Sequence, residues 1–129
     1  MDQSAYAKGL ATRRAVLGNE WVERSLKNAN DFTREFQEMI TVHAWNDIWN
    51  RPGLPHKVRR MLALAMTIAM GRWEEFRLHV RAALEADVSV DELKEVLLQS
   101  AIYCGVPAAN TAFKEANELV AAHRAHKPG

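Results

Sequence analysis

Apolar residues in this chain recur three and four positions apart almost from end to end, and nowhere do they alternate with polar ones over a window long enough for a strand. That spacing puts one apolar stripe on each of a series of helices and predicts an all-α fold. Glycine and proline cut the pattern into pieces. A first helix opens at Gln3 or Ser4 and ends at Gly18, and a second begins at Asn19 with Trp21, Val22 and Leu26 as its apolar set. Asp31 is expected to cap a long third helix with the stripe Phe32, Phe36, Ile40, Ala44 and Ile48, and with Trp45 and Trp49 beside it. Residues 50–55, Asn-Arg-Pro-Gly-Leu-Pro, form the clearest break.

A fourth helix over residues 55–70 is apolar nearly all round in its second half and is expected to be the most buried; Gly71 stops it. A fifth, over residues 73–86, carries Trp73, Phe76, Val80, Ala83 and Leu84 inward. Ser89-Val-Asp-Glu92 reads as a capping box opening a sixth helix, whose inward set is Leu93, Val96, Leu97 and Ile102 and which ends at Gly105. Pro107 suits the first turn of a last helix running to about Arg124, with the stripe Ala112, Phe113, Ala116, Leu119 and Val120. Residues 126–129 should fray. The expectation is a single-domain bundle of six to seven helices spanning residues 1–129.

Composition supports one compact domain. A chain of 129 residues, 48% hydrophobic, buries roughly two thirds of its unfolded surface, enough to fold without disulfides or a structural metal. With Cys104 alone, no intramolecular disulfide, Cys-x-x-Cys redox pair or thiolate-rich zinc site can form within one chain, which fits a reducing, cytoplasmic setting. The 17 basic residues against 16 acidic ones leave a net charge of +1, so nothing draws the whole molecule to nucleic acid or to an anionic membrane. The start of the chain lacks a basic segment followed by an apolar one, and the longest uncharged apolar run, residues 61–70, is half a bilayer span.

Chemistry concentrates on the fifth helix. Arg72, Glu75 and His79 are spaced i, i+3, i+7 and fall within an arc of about 60° beside the apolar stripe. Such a group can supply anion binding, a partner that fixes an imidazole tautomer, and a proton that moves near neutrality. The same spacing also suits a solvated helix edge with a Glu-His pair, or a divalent metal held by Glu75 and His79, although no further ligand set is evident. Arg59 and Arg60 precede the apolar run, where an inward arginine would need an anion to offset its desolvation. His43 reads as a core or boundary histidine, His123 and His126 as tail residues, and Cys104 as a small hydrophobe. No Gly-x-Gly-x-x-Gly, P-loop, His-Glu-x-x-His or Gly-x-Ser-x-Gly is present.

Residues 71–83, Gly-Arg-Trp-Glu-Glu-Phe-Arg-Leu-His-Val-Arg-Ala-Ala, and residues 103–110, Tyr-Cys-Gly-Val-Pro-Ala-Ala-Asn, resemble the two hallmark stretches of the γ-carboxymuconolactone decarboxylases. The resemblance extends to residues 13–18, 45–54 and 92–98 and covers essentially residues 10–120. The wider superfamily includes alkylhydroperoxidase D-like proteins, which are similar in helical fold but carry a Cys-x-x-Cys pair where this chain has Arg72 and Glu75. Without those thiols peroxide chemistry lacks its nucleophile. The family often has a histidine where this chain has Trp21, so no role of that imidazole carries over.

The resemblance implies an alkylhydroperoxidase D-like helical fold and a cofactor-free, metal-free decarboxylase of protocatechuate catabolism, taking a small lactone dicarboxylate. His79 would be the proton donor and Glu75 its orienting partner, the two being exchangeable. Arg72 or Arg59 would bind a substrate carboxylate or the lactone oxygen, and Trp45 with the turn from Tyr103 to Asn110 would form an apolar wall. Related proteins form rings, which implies a homotrimer or homohexamer. A thiol-dependent peroxidase of the same superfamily and a non-catalytic helical oligomer binding a small acid are the alternatives.

Overall fold

In the computed structural model residues 1–126 are described. Among them every regular element is helical: α1 Gln3–Leu17, α2 Asn19–Lys27, α3 Arg34–Ile40 running into a π-helical segment Thr41–Asn46, α4 His56–Met70, α5 Trp73–Ala86, α6 Val90–Tyr103 and α7 Val106–His126. The chain divides into two compact units that meet in sequence between His56 and Lys57. His126 is the last residue of α7, and the remainder of the expected frayed tail lies outside the described residues.

In the first unit the Asp2 carboxylate accepts the backbone N–H groups of Ser4 and Ala5 at 2.9 and 3.2 Å, which caps α1. Gly18, at φ 94°, turns the chain from α1 into α2. The third helix departs from expectation at its start. Asn30, not Asp31, organises its start: the Asn30 side-chain oxygen accepts the N–H groups of Phe32 and Thr33 at 2.9 and 3.1 Å, an Asx turn that delays the helix to Arg34.

The expected stripe of that helix is not the buried face. Phe32 is 92% exposed, and Phe36 and Ile48 are also exposed, whereas Thr41 and Trp45 are buried. The inward face of Gln37, Thr41 and Trp45 keeps the four-residue spacing but is offset by one position from the apolar row. Two polar demands fix that offset. The Gln37 side-chain oxygen accepts a bond from the buried Arg13 at 3.0 Å. The Thr41 carbonyl lies against Gly9 of α1 so closely that a Cβ built there would sit 2.1 Å from it. The Thr41 hydroxyl donates to the Gln37 carbonyl at 2.7 Å. Trp45 stacks on Trp49 with centroids 5.3 Å apart, and His56 Nε2 lies 2.9 Å from the Trp49 carbonyl.

The second unit is organised around Phe76, Val80 and Ala83 of α5, packed with Leu64 and Ile68 of α4, Leu93 and Leu97 of α6, and Ala112 and Ala116 of α7. The alanines let α7 approach closely, and Arg77 ties α5 to α7 through Glu115 at 2.7 Å and Glu118 at 3.1 Å. The capping box of α6 forms as expected: the Ser89 hydroxyl accepts the Glu92 N–H at 3.0 Å and Glu92 accepts the Ser89 N–H at 2.9 Å. Glu92 also pairs with Lys57 of α4 at 2.6 Å. Gly71 and Gly105, at φ 67° and 97°, end α4 and follow α6.

Three expectations fail here. α4 is not buried all round, since Leu62, Met66 and Met70 are exposed while Leu64 and Ile68 are enclosed. Ile102 points outward at 80% exposure, because the inward face of α6 runs through Leu93, Leu97 and Ser100, and Ile102 falls on the opposite side. Phe113 is likewise partly exposed beside the buried Ala112.

Candidate active site

His79 stands in the middle of α5, half-buried, one residue before the fully enclosed Val80. Its neighbours set its protonation. Burial pushes the imidazole below the ordinary histidine range, the Arg60 guanidinium pushes it further down, and the Glu75 carboxylate opposes both. The ring is therefore held toward its neutral form, with one nitrogen a donor and the other an acceptor. Glu75, one turn earlier on α5 and exposed, acts on His79 through its charge; no hydrogen bond joins the two side chains.

Arg60 is the more enclosed of the two arginines that precede the apolar run. It is 4% exposed, and its Nε lies 3.2 Å from Oδ1 of Asp87, the residue that closes α5. A buried guanidinium needs such a carboxylate to offset its lost hydration. Arg60, Leu64 and Ile68 sit four residues apart on α4 and all three are buried. That row was readable in the sequence, and it separates Arg60 from Arg59, which is half-buried. Arg60 is thus the cation whose charge acts on His79.

Arg72 is exposed and lies at the N-cap of α5 with non-helical dihedrals, φ −92° and ψ 75°, so the helical arc joins only Glu75 and His79. Its backbone N–H donates to the Thr67 carbonyl at 2.9 Å and its carbonyl accepts from Phe76, which fixes the turn between α4 and α5. Tyr103, 82% exposed at the end of α6, borders an apolar hollow of about 300 Å³ with Cys104, Met61 and Val96. Asn110 is exposed on α7. Trp45 belongs to the first unit, where it is buried against Trp49. Among the described residues no three His, Cys, Asp or Glu side chains gather as metal ligands.

A pair of this kind can do acid-base chemistry on an anion. A neutral imidazole beside a buried cation donates an N–H to a developing oxyanion, and an arriving anionic substrate raises the proton affinity of the ring.

The chain is similar to known decarboxylases. A protein 44% identical over 118 residues, covering 92% of this chain and 88% of the relative, is the 4-carboxymuconolactone decarboxylase of Acinetobacter baylyi. The nitrosuccinic acid decarboxylase of Metarhizium robertsii is 41% identical over 119 residues, 89% of this chain and 83% of its own. A 46-residue stretch is 52% identical to a 4-carboxymuconolactone decarboxylase of Pseudomonas putida, covering 36% of this chain and 96% of that one. Residues 34–118, which carry Arg60, Glu75 and His79, match the model of one family along their whole length, and the chain belongs to the carboxymuconolactone decarboxylase family.

Proposed function

We propose that this protein is a carboxy-lyase that converts 4-carboxymuconolactone to β-ketoadipate enol-lactone and carbon dioxide in aromatic catabolism, with His79 delivering the proton. The observation that carries the reading is the 44% identity to the Acinetobacter baylyi enzyme over 92% of the chain. The substrate is a butenolide whose γ-carbon bears the carboxylate that leaves. When that C–C bond breaks, its electron pair passes through the conjugated C=C into the lactone carbonyl, carbon dioxide departs, and a dienolate remains. One proton added at the α-carbon gives the enol-lactone. The substrate is its own electron sink, so the protein has to stabilise the dienolate oxygen and supply that proton.

Arg60 is a fixed positive charge facing the negative charge that develops. His79, neutral in the free protein, gains proton affinity when the dicarboxylate substrate settles beside it, because two negative charges work against the Arg60 field. It then protonates the α-carbon, and Glu75 favours the imidazolium electrostatically. Arg72 and Arg59 are assigned to the substrate carboxylates, and Tyr103 and Asn110 to its apolar and polar flanks. The test is turnover of enzymatically generated 4-carboxymuconolactone, followed by loss of the conjugated lactone absorbance. If His79→Ala and Glu75→Gln remain folded and both turn over at the wild-type rate, the assignment is wrong.

A second substrate is favoured by one observation, the 41% identity to a nitrosuccinic acid decarboxylase. Nitrosuccinate also loses a carboxylate from a carbon beside an electron sink, there a nitro group, and it also leaves an anion to be protonated. Parallel assays on the two acids separate the readings.

The family match runs across the junction of the two compact units, which supports a single functional domain over residues 1–129. Exposed apolar side chains on Leu62, Met66, Met70, Ile102 and Tyr103 support assembly into a homotrimer or homohexamer, which light scattering would measure. No described helix is long and apolar enough to cross a membrane, and the lone Cys104 suits the cytoplasm.

A further inference from the structure

The first unit holds a second buried arginine, and its surroundings differ from those of Arg60. Arg13 of α1 is 2% exposed, yet no carboxylate among the described residues lies within ion-pair distance of it. One terminal nitrogen, Nη2, donates to the Ser25 hydroxyl at 3.3 Å and to the Gln37 side-chain oxygen at 3.0 Å. Nε and Nη1 are buried without a hydrogen-bond partner. The guanidinium carbon lies 5.5 Å from the centroid of the Trp21 ring. A full positive charge enclosed this way is costly unless an anion completes its surroundings.

Trp21, Ser25 and Gln37 also line an open pocket of about 350 Å³, together with Arg24. Arginine only donates, so Ser25 and Gln37 must both present acceptors to Arg13. This fixes the Gln37 amide with its oxygen toward Arg13 and leaves its NH2 group, and the Ser25 O–H, as the polar hydrogens for other partners. The longer Ser25 to Gln37 contact, 3.5 Å, is at the limit of a hydrogen bond. Arg24 adds a second cation, tied only loosely to the exposed Glu20 at 3.7 Å, and no acidic residue lines the pocket. The buried charge thus turns the polar wall into a set of donors next to an indole.

We propose that this pocket is a binding site for a small planar organic carboxylate, its carboxylate taken by Ser25 and the Gln37 amide, which Arg13 holds from behind, and by Arg24, and its unsaturated body set against Trp21. The inference stands on the first unit alone and holds whichever substrate the His79 group acts on.

The experiment is a titration of the full-length 15N-labelled protein, watching the four tryptophan indole N–H signals, with that of Trp21 identified by its loss in Trp21→Phe. The probe is trans,trans-muconate, a rigid planar dicarboxylate. Adipate, of the same length but saturated, and sulfate at matched ionic strength are the comparisons. The Trp21 signal should move and saturate with muconate, need several-fold more adipate, and stay in place with sulfate. Arg24→Gln, at an exposed position that leaves the fold intact, should weaken muconate by about fivefold. No saturable movement of Trp21, or equal movement with sulfate, overturns the proposal. So does a Trp21 signal that follows protein concentration and ignores the acids, because that would mark the pocket as a contact between copies of the chain.

Discussion

Arg60 Nε lies 3.2 Å from Asp87 Oδ1, so the residue closing α5 neutralises the cation that faces the histidine in the middle of the same helix. The positive charge at His79 is therefore the remainder of a pair, and it can be tuned from either partner. Arg60→Gln removes the charge that lowers the imidazole, and the His79 titration midpoint should rise above that of the wild-type protein. Asp87→Asn removes the carboxylate paired with Arg60 and should move the midpoint the other way. NMR titration of the His79 ring measures both, and an unchanged midpoint in Arg60→Gln would show that burial alone sets it.

The same shift makes stability depend on pH. Well above the ordinary histidine range His79 is neutral in both folded and unfolded chains and contributes nothing. As pH falls through that range the unfolded chain takes up a proton that the folded one resists, so the unfolded state binds more protons and stability falls with decreasing pH. The loss levels off once pH is below the depressed folded value. Tm recorded between about pH 7.5 and 5 should decline less in His79→Gln than in the wild-type protein.

The proton-donor role proposed for His79 predicts a split between kinetic parameters. kcat/KM reports groups in the free enzyme and kcat those in the complex. Since the free imidazole is depressed and the dicarboxylate raises it, the fall of kcat with rising pH should lie at higher pH than the fall of kcat/KM. His79→Gln should lower kcat by about 10²–10⁴-fold and remove the limb. Coincident limbs in the wild-type profiles would count against substrate-induced protonation.

Gly9→Ala should be among the most damaging small substitutions in the chain. The new methyl would stand 2.1 Å from the Thr41 carbonyl oxygen and 3.0 Å from its carbon, backbone atoms that cannot swing aside. Urea unfolding should show a loss of about 1–3 kcal/mol or more. Gly53→Ala, where nothing lies within 4 Å, should fall within about 0.5 kcal/mol of wild type.

Ser89→Ala removes one half of the capping box and leaves the Glu92 N–H without its hydroxyl partner. The expected cost is about 1 kcal/mol by denaturant midpoint. Glu92 keeps its ion pair with Lys57, so Ser89→Asp, which restores the acceptor, should recover most of the loss.

The amino-acid sequence by itself determined the helices of this protein and most of their ends. Periodicity of three and four, Gly18, Gly71 and Gly105 at left-handed turns, and Ser89 with Glu92 are local signals, and local hydrogen bonds obey them. It also placed Glu75 and His79 one turn apart. Tertiary structure decided which face of each helix turns inward. In α3 and its π-helical continuation the inward row is Gln37, Thr41 and Trp45 because Arg13 requires an acceptor and Gly9 admits a carbonyl; an apolar count favours Phe32, Phe36 and Ile48, all exposed. It likewise enclosed Arg60, left Arg59 half-buried, and paired Arg60 with Asp87, 27 positions along the chain. Desolvation and charge depend on what surrounds a side chain in three dimensions, so the protonation of His79 became legible only once Arg60 was in place.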